Sequence, residues 1–192
     1  AVSVASARDA EGLPIFNVFG VDLSNPCGLA AIAALNEGRF PNPTTDAKLM
    51  SATKQAKEDG NLVATSDESV YGFAEVIVCD INLDITEDKQ SPDVDFESFE
   101  AGIRTIGKNM KPGTLVLIET PVPPGTCARV VAPALANELS CRDEDPDSFL
   151  LAHSFERVMP GANYFDSIVN FWRVYAGHTP GAATVCRKFL EK

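Results

Sequence analysis

The segment "TLVLIETPVPPGT" (Thr114–Thr126) runs from an apolar stretch directly into a proline cluster, and "CARVVAPALANEL" then follows with a helical pattern. Proline fixes φ and has no backbone N–H, so Pro121, Pro123 and Pro124 cannot continue a central strand. Pro124 suits the first turn of the helix that follows. The segment therefore predicts a strand, a rigid corner and a helix. In α/β sheets such corners lie at the carboxyl ends of strands, where ligands bind.

Strands and helices alternate along the rest of the chain as well. The apolar runs predict further strands at Ile15–Leu23, Leu62–Thr65, Ala74–Ile81 and Ser148–Ser154, and a short one near "FWRVYAG". Periodicity predicts four helices: "PCGLAAIAALNEG", Thr45–Asp59, "DFESFEAGIRTIGKNM" and a helix from Thr179 onward. Ser24 or Asn25 is expected to cap the first of them. Thr44 or Thr45 is expected to begin the second, and Gly60 to end it. The polar residues Thr86–Pro92 are expected to form a loop. This alternation predicts an α/β fold with βαβ units and a largely parallel sheet.

The composition restricts the partners of the protein. Its 192 residues carry a formal net charge of -11 and are expected to form one domain. We expect no binding to nucleic acid or to anionic membrane surfaces, because the field of the protein would repel both. No apolar run approaches the roughly 20 residues that span a bilayer, and no signal-like segment opens the chain. We therefore expect a cytoplasmic protein.

The cysteine pattern predicts neither a disulfide framework nor a metal site. The five cysteines are odd in number and widely spaced, without a C-x-x-C pair: Cys27, Cys79, Cys127, Cys141 and Cys186. We expect buried thiols that act as small apolar residues.

The beginning of the chain leaves two explanations open. "AVSVASARDAEG" (Ala1–Gly12) is typical of the end of a helix of small residues. In a dinucleotide-binding βαβ unit such a helix follows the first strand and its glycine-rich loop. The sequence contains no G-x-G-x-x-G. Either the chain begins inside that motif, or its sheet is of a kind that has none.

Several segments in one order carry a family resemblance: "FGVDL", "LNEGRFPNP", "AEVIVCDINLD", "KPGTLVLIETPVPPGT", "HSFERVMPG" and "RVYAGHTP". Together they resemble the amino-terminal NAD-binding domain of the UDP-glucose/GDP-mannose dehydrogenase family over nearly the whole chain. "ERVMPG" is similar to the branch that acts on UDP-N-acetylated sugars such as UDP-N-acetylmannosamine. The resemblance implies a Rossmann-like, doubly wound, mostly parallel sheet, here without the first strand and the glycine-rich loop.

The resemblance also implies an activity. The family oxidises a UDP-sugar alcohol to the uronic acid in two NAD-dependent steps, and a cysteine in a later domain captures the aldehyde. Residues 1–192 would be a truncated NAD-binding domain, without the central and C-terminal sugar-nucleotide domains. We expect these residues to be inactive alone and to bind NAD weakly or not at all, because glycine-loop amides and a helix N-terminus normally hold the pyrophosphate. The intact protein is expected to be a homodimer or larger.

Three residues are implied to serve the cofactor. Asp22 would end the second strand of the family's sheet, where an acid accepts hydrogen bonds from the ribose hydroxyls and disfavours NADP; a helix cap or a solvated acid is the alternative. Thr120 lies in the proline corner, beside the nicotinamide, and is implied to be catalytic and cofactor-binding. The family's threonine falls on Pro121 here, which weakens that assignment. Where the family often has V-P-T-P, with a threonine near the cofactor, this chain has Ile81–Asp84, and Asn82 in that segment could still hydrogen-bond the cofactor.

Two residues are implied to serve the substrate. Glu156 matches the family's glutamate near the reacting sugar and would position or deprotonate water as a catalytic residue. Arg157 would bind an anionic group of the substrate, or pair with an acid in a structural role. His153 lies in an apolar strand and is expected to be a packed residue.

Two other classes of protein compete with the enzyme interpretation. A non-catalytic Rossmann-like module that binds a nucleotide or a partner is favoured by the absent glycine loop and by "DINL" at Asp80–Leu83. Another β-hydroxyacid-type dehydrogenase would share the cofactor domain but does not explain "ERVMPG". The retained "GVDL", "ETPVPPGT" and "ERVMPG" favour the nucleotide-sugar dehydrogenase.

Overall fold

The computed structural model describes residues 1–85, 94–155 and 161–192, which form two compact units. The first unit comprises Ala1–Glu68, residues 161–172 and Lys192, and the second comprises residues 69–85, 94–155 and Arg173–Glu191. The predicted loop at Thr86–Pro92 lies outside the described residues. Among those residues, none of the helices has the length and apolar character that crossing a membrane requires.

The structure contains the predicted helices and strands and adds short elements at Asp84–Ile85, Val94–Asp95 and Tyr164–Asn170. The helices are α1 (Val2–Ala5), α2 (Pro26–Asn36), α3 (Ala47–Asp59), α4 (Glu97–Asn109), α5 (Ala132–Ser140), α6 (Tyr164–Asn170) and α7 (Pro180–Leu190). The strands are β1 (Val18–Val21), β2 (Leu62–Thr65), β3 (Val76–Cys79), β4 (Asp84–Ile85), β5 (Val94–Asp95), β6 (Leu115–Ile118), β7 (Leu150–His153) and β8 (Ala176–Gly177). A 3₁₀ helix covers Glu68–Phe73, and a π-helical segment covers Cys127–Val131.

The first unit contains a two-stranded parallel sheet. β1 pairs with β2, with Val18 opposite Leu62 and Val21 opposite Thr65. The Asn36 side chain attaches α2 to β2, because its amide nitrogen donates to the Ala64 carbonyl and its oxygen accepts from the Ala64 N–H, both at 2.8 Å. The carboxyl ends of both strands therefore lie at one edge of this sheet.

The second unit contains a four-stranded sheet in the order β3-β6-β7-β8. β3, β6 and β7 are parallel, and the short β8 runs antiparallel to β7. β4 and β5 form a separate antiparallel pair. The predicted α/β, mostly parallel, Rossmann-like fold is confirmed, and no strand precedes β1 in the described residues.

The predicted amphipathic helix before β6 is confirmed. α4 buries Phe99, Ile103 and Ile106, which recur at the helical spacing of four and three residues. These side chains pack in one core cluster with Val116 of β6 and Leu135 of α5. On the other face of the sheet, α7 buries Ala182 and Cys186, and Thr179 caps it as predicted, accepting from the Ala182 N–H at 3.1 Å.

The helix after the proline corner begins later than the sequence suggested. Its first, π-helical turn starts at Cys127, with Thr126 in the cap position. Pro124 is therefore not in the first turn, and that prediction was wrong. The physical reason is Gly125, whose φ of +89° lies in the left-handed region and separates the proline from the helix.

The cap of α3 also differs from the prediction. Asp46, rather than Thr44 or Thr45, caps the helix, because its Oδ1 accepts from the N–H groups of Lys48 at 2.8 Å and Leu49 at 3.1 Å. Its Oδ2 accepts from the Phe165 N–H at 2.6 Å, which attaches the start of α6 to α3. The residue has 1% of its surface exposed. Chiefly through the hydrogen bond from Phe165, the pKa of the carboxyl falls below its ordinary value of 3.8.

Replacing Asp46 with Asn is therefore expected to lower the melting temperature at neutral pH, because the amide carries no charge and has one acceptor oxygen for three N–H groups. A depressed carboxyl pKa stabilises the fold above the unfolded value, and this stabilisation is lost as the pH falls below 3.8 through the folded value. Thermal unfolding from pH 7 to pH 2 should show the two curves converging in acid. Glu58→Gln, an exposed charge change on the same helix, is the control, and equal effects of both variants would contradict this account.

Candidate functional site

Asp22 follows β1 at the carboxyl edge of the first unit's sheet. Its N–H donates to the Thr65 carbonyl at 3.2 Å, which continues the strand pairing, and its carboxylate is exposed. Oδ1 accepts from the Leu23 N–H at 2.7 Å. Asn25 caps α2, accepting from the Gly28 N–H at 2.9 Å, so the alternative that Asp22 caps this helix is wrong. The exposed carboxylate retains acceptor positions for a ligand's hydroxyl groups.

Gly28 is a functional candidate that the sequence did not reveal. A Cβ at this position would collide with the Leu23 carbonyl oxygen and would lie 3.1 Å from Oδ1 of Asp22. Only glycine therefore allows the first turn of α2 to approach the loop that carries the acid. The letters "PCG" after the Asn25 cap were the available signal, but the close approach depends on the path that the backbone takes from Asp22 to Asn25.

Thr120 lies at the carboxyl edge of the second unit's sheet, two residues beyond β6. Its side chain is buried, with 7% of the residue exposed. Its hydroxyl donates to the Ile81 carbonyl at 2.7 Å, directly before Asn82, whose side chain is exposed. The Thr120 carbonyl lies 3.3 Å from Nε2 of His153, the half-buried residue at the end of β7. Thr120 thus joins the ends of β3, β6 and β7, and the structure brings it close to Asn82.

The proline corner after Thr120 is braced by its own hydrogen bonds. The Thr126 hydroxyl donates to the Pro123 carbonyl, and Nη2 of Arg129 donates to the Pro124 carbonyl, both at 2.8 Å. The Arg129 guanidinium folds over Gly125, where a Cβ would lie 2.6 Å from it. The sequence did not single out Arg129, since an exposed arginine in a helical pattern is ordinarily solvated.

The two substrate-site candidates, Glu156 and Arg157, lie outside the described residues, which resume at Gly161. Asp22 belongs to the first unit, whereas Asn82 and Thr120 belong to the second. Asp22, Asn82 and Thr120 share one property, because each of them follows the carboxyl end of a parallel strand. This is the edge at which open α/β sheets bind ligands.

Comparison with known proteins identifies the family of the chain. Residues 10–191 match the model of the UDP-glucose/GDP-mannose dehydrogenase family, NAD binding domain. The chain belongs to this family. The match covers almost all of the sequence and confirms the family that its motifs indicated.

Relatives of known identity support the expected branch of the family. The chain is 30% identical over 179 residues to UDP-N-acetyl-D-mannosamine dehydrogenase of Pyrococcus horikoshii and 27% identical over 177 residues to that of Methanocaldococcus jannaschii. These alignments cover 92% of the chain but 39% and 37% of the relatives. Both names confirm the likeness to the UDP-N-acetylmannosamine branch.

Solved structures of the family share the fold. NDP-N-acetyl-D-galactosaminuronic acid dehydrogenase from Methanosarcina mazei matches with a TM-score of 0.87 at 25% identity, over 99% of this chain and 38% of that one. The P. horikoshii UDP-N-acetylmannosamine dehydrogenase matches with a TM-score of 0.81 at 26% identity, over all of this chain and 41% of that one. The roles of the site residues, the single domain, the oligomer and the cytoplasmic location stay predictions.

The cysteines of this family member divide into three classes. Cys79 and Cys186 are buried, as expected, and burial is the main cause that raises the pKa of each thiol to about 11. Cys127 is half-buried, and burial raises the pKa of its thiol as well. Cys27 and Cys141 are exposed, so the expectation that all five thiols are buried was wrong for these two. Their positions on the outer surfaces of helix ends explain the difference.

Thiol labelling at pH 8 should separate these classes. Cys27 and Cys141 are expected to react first, because they are exposed, whereas Cys79 and Cys186 should react only after unfolding, because a pKa of about 11 leaves few thiolates in a buried site. Mass spectrometry of the labelled peptides identifies each residue, and denatured protein is the control. Rapid labelling of Cys186 in folded protein would contradict the structure.

Proposed function

We propose that the chain is the NAD-binding part of a nucleotide-sugar 6-dehydrogenase that oxidises a UDP-sugar alcohol to the uronic acid in two NAD-dependent steps. The observation that carries this proposal is the family match over residues 10–191, together with an exposed acid at the carboxyl end of β1. A UDP-N-acetylated sugar is the proposed substrate, because both relatives above are named UDP-N-acetyl-D-mannosamine dehydrogenases.

The residues around Asp22 fit the adenosine ribose of NAD. The carboxylate is exposed, accepts from the Leu23 N–H and lies next to Gly28, which lets the first turn of α2 approach it closely. It can accept hydrogen bonds from two neighbouring ribose hydroxyls and would repel a 2′-phosphate. When bound, NAD supplies the hydride acceptor. The role of Asp22 is to bind and orient the cofactor and to select it over NADP.

Thr120 and Asn82 are proposed to serve the reacting end of the cofactor. The Thr120 hydroxyl uses its proton on the Ile81 carbonyl, so toward a ligand it can act only as an acceptor. Its main contribution is therefore to hold the corner in place, which preorganises the approach of the chain. The exposed Asn82 amide can donate to a ligand carbonyl.

Glu156 and Arg157 are proposed to act on the substrate. A carboxylate at Glu156 would position water, or accept its proton, in the hydrolytic half of the reaction. The guanidinium of Arg157 would bind an anionic group of the nucleotide sugar.

A non-catalytic nucleotide- or partner-binding module is the second candidate function. The observation that favours it is the Thr120 hydroxyl, which is already committed to the Ile81 carbonyl, with Pro121 where the family has its threonine. Such a module would bind a nucleotide without turnover, so measurement of NADH formation by the full-length protein separates the two candidates.

Asp22→Asn tests the cofactor assignment in the full-length protein. We expect a smaller preference for NAD over NADP and weaker NAD binding. The binding free energy should fall by about 1.5–3 kcal/mol, the usual contribution of a hydrogen bond to a charged group. Calorimetric titration with each cofactor measures both effects. Glu11→Gln removes the same charge from the first unit and should change neither. An unaltered ratio of the two affinities would exclude Asp22 from the cofactor site.

Glu156→Gln tests the hydrolytic role in the same protein. Steady turnover with the UDP-sugar should fall by about 10²- to 10⁴-fold, the usual scale for general acid–base catalysis, while NAD binding stays nearly unchanged. The first burst of NADH should survive better than the later phase, and mass spectrometry should show a covalent enzyme-bound intermediate. Glu144→Gln is the control. Normal turnover by folded Glu156→Gln protein would show that Glu156 is structural.

A further inference from the structure

Polar side chains meet beneath α7, at the carboxyl ends of β6 and β7. Leu117 and Ala152 pack with Cys186 on the face of the sheet that α7 covers. The Glu119 N–H donates to the Cys79 carbonyl and the Ser154 N–H donates to the Ile118 carbonyl, both at 3.0 Å, so the strand pairing continues through these residues. Because side chains alternate along a strand, Glu119 and Ser154 point to the same face as Leu117 and Ala152.

Arg173, three residues before the start of β8, faces Glu119 across this space. Its Nη1 lies 3.1 Å from Oε1 of Glu119, and the two side chains are 18% and 12% exposed. The contact is one of charge, because Nη1 lies outside hydrogen-bond geometry. Both charges act on the buried Cys186: after burial itself, the negative charge of Glu119 raises the pKa of the thiol, and the positive charge of Arg173 opposes it.

A largely buried ion pair of this kind orients its two side chains but adds little to the stability of the fold. Desolvation of the two charges offsets much of their attraction, but removal of one partner takes that attraction away while the other charge stays buried. The Arg173 guanidinium therefore attracts the Glu119 carboxylate toward the α7 face of the sheet. The pair defines the direction in which the chain leaves β6 on the α7 face.

The next residue is held from the opposite face. Thr120 donates its hydroxyl proton to Ile81, and its carbonyl lies 3.3 Å from Nε2 of His153. The peptide between Glu119 and Thr120 is thus restrained from both faces of the sheet. We therefore expect a change in Glu119 on one face to move the Thr120 carbonyl. The surroundings of the His153 ring, on the other face, would change with it.

We propose that Arg173 is a positioning residue, which acts through Glu119 to fix the place of Thr120 at the start of the proline corner. Its consequence for catalysis rests on the proposed function, in which Thr120 lies at the reacting end of the cofactor. The geometric part of the proposal concerns the folded chain alone. It can therefore be tested whether or not the protein is a dehydrogenase.

Arg173→Met is the first test, read by NMR on the 192-residue chain at fixed pH. The chain has two histidines, so the ring signals of His153 can be followed with those of His178 as internal reference. We expect the His153 ring and the Thr120 N–H signals to shift while His178 stays unchanged. The amide hydrogens of Glu119 and Thr120 should exchange about tenfold faster than in the wild type, because the corner opens locally.

Three further variants complete the design. Arg187→Met removes an exposed arginine from α7 and should leave all these signals unchanged. Arg173→Lys retains the charge and should restore them toward the wild type. Should Arg173→Met fail to fold, Glu119→Gln, which removes the partner's charge with little change in shape, is expected to produce the same shifts.

Unchanged His153 and Thr120 signals in a folded variant would overturn the proposal. So would exchange that accelerates equally throughout β3, β6 and β7, because the pair would then support the whole sheet rather than the corner. In the full-length protein, Arg173→Met should lower kcat more than it raises the KM for NAD. If that protein makes no NADH at all, the proposed function fails, while the NMR result still decides the role of Arg173.

Discussion

The second unit depends on the burial of β6. All four of its side chains, Leu115–Ile118, have 0% of their surface exposed, which requires paired strands on both edges and helices on both faces. β3 and β7 supply the edges, α4 and α5 cover one face, and α7 covers the other. Each such side chain contributes on the order of 1.5–3 kcal/mol through burial. β6 is therefore fixed in direction and register. Because Glu119 and Thr120 follow it directly, their positions are fixed as well.

The change from apolar to polar at the end of β6 creates the candidate site. Ile118 is the last core residue; Glu119 then carries a charge to one face, and Thr120 carries a hydroxyl to the other. The Cys79 carbonyl accepts from the N–H of both residues, at 3.0 and 3.4 Å. Precise placement of the corner therefore derives from the core and from neighbouring strands rather than from the prolines alone, which restrict φ but cannot choose a direction in space.

The first unit applies the same principle with a smaller sheet. Two parallel strands bring Asp22 to a carboxyl edge, and Gly28 lets the helix that follows approach the acid. A parallel sheet collects the ends of its strands along one edge, and its connecting loops carry polar groups there without disturbing the core.

The sequence by itself determined the elements and the family. Periodicity located α4, the apolar run located β6, and Asn25, Gly60 and Thr179 marked helix ends, because each of these signals is local to the chain. The motifs around Asp22 and Glu119 identified the family and hence the NAD-binding domain.

Only the tertiary structure decided the rest. Asp46 replaced the predicted threonine caps because its second oxygen serves Phe165, which lies 119 positions away in the sequence. The bond from Thr120 to Ile81 and the pair of Glu119 with Arg173 likewise join residues that no local pattern links. Local propensity fixes where helices and strands form, whereas contacts between distant segments decide which polar group meets which.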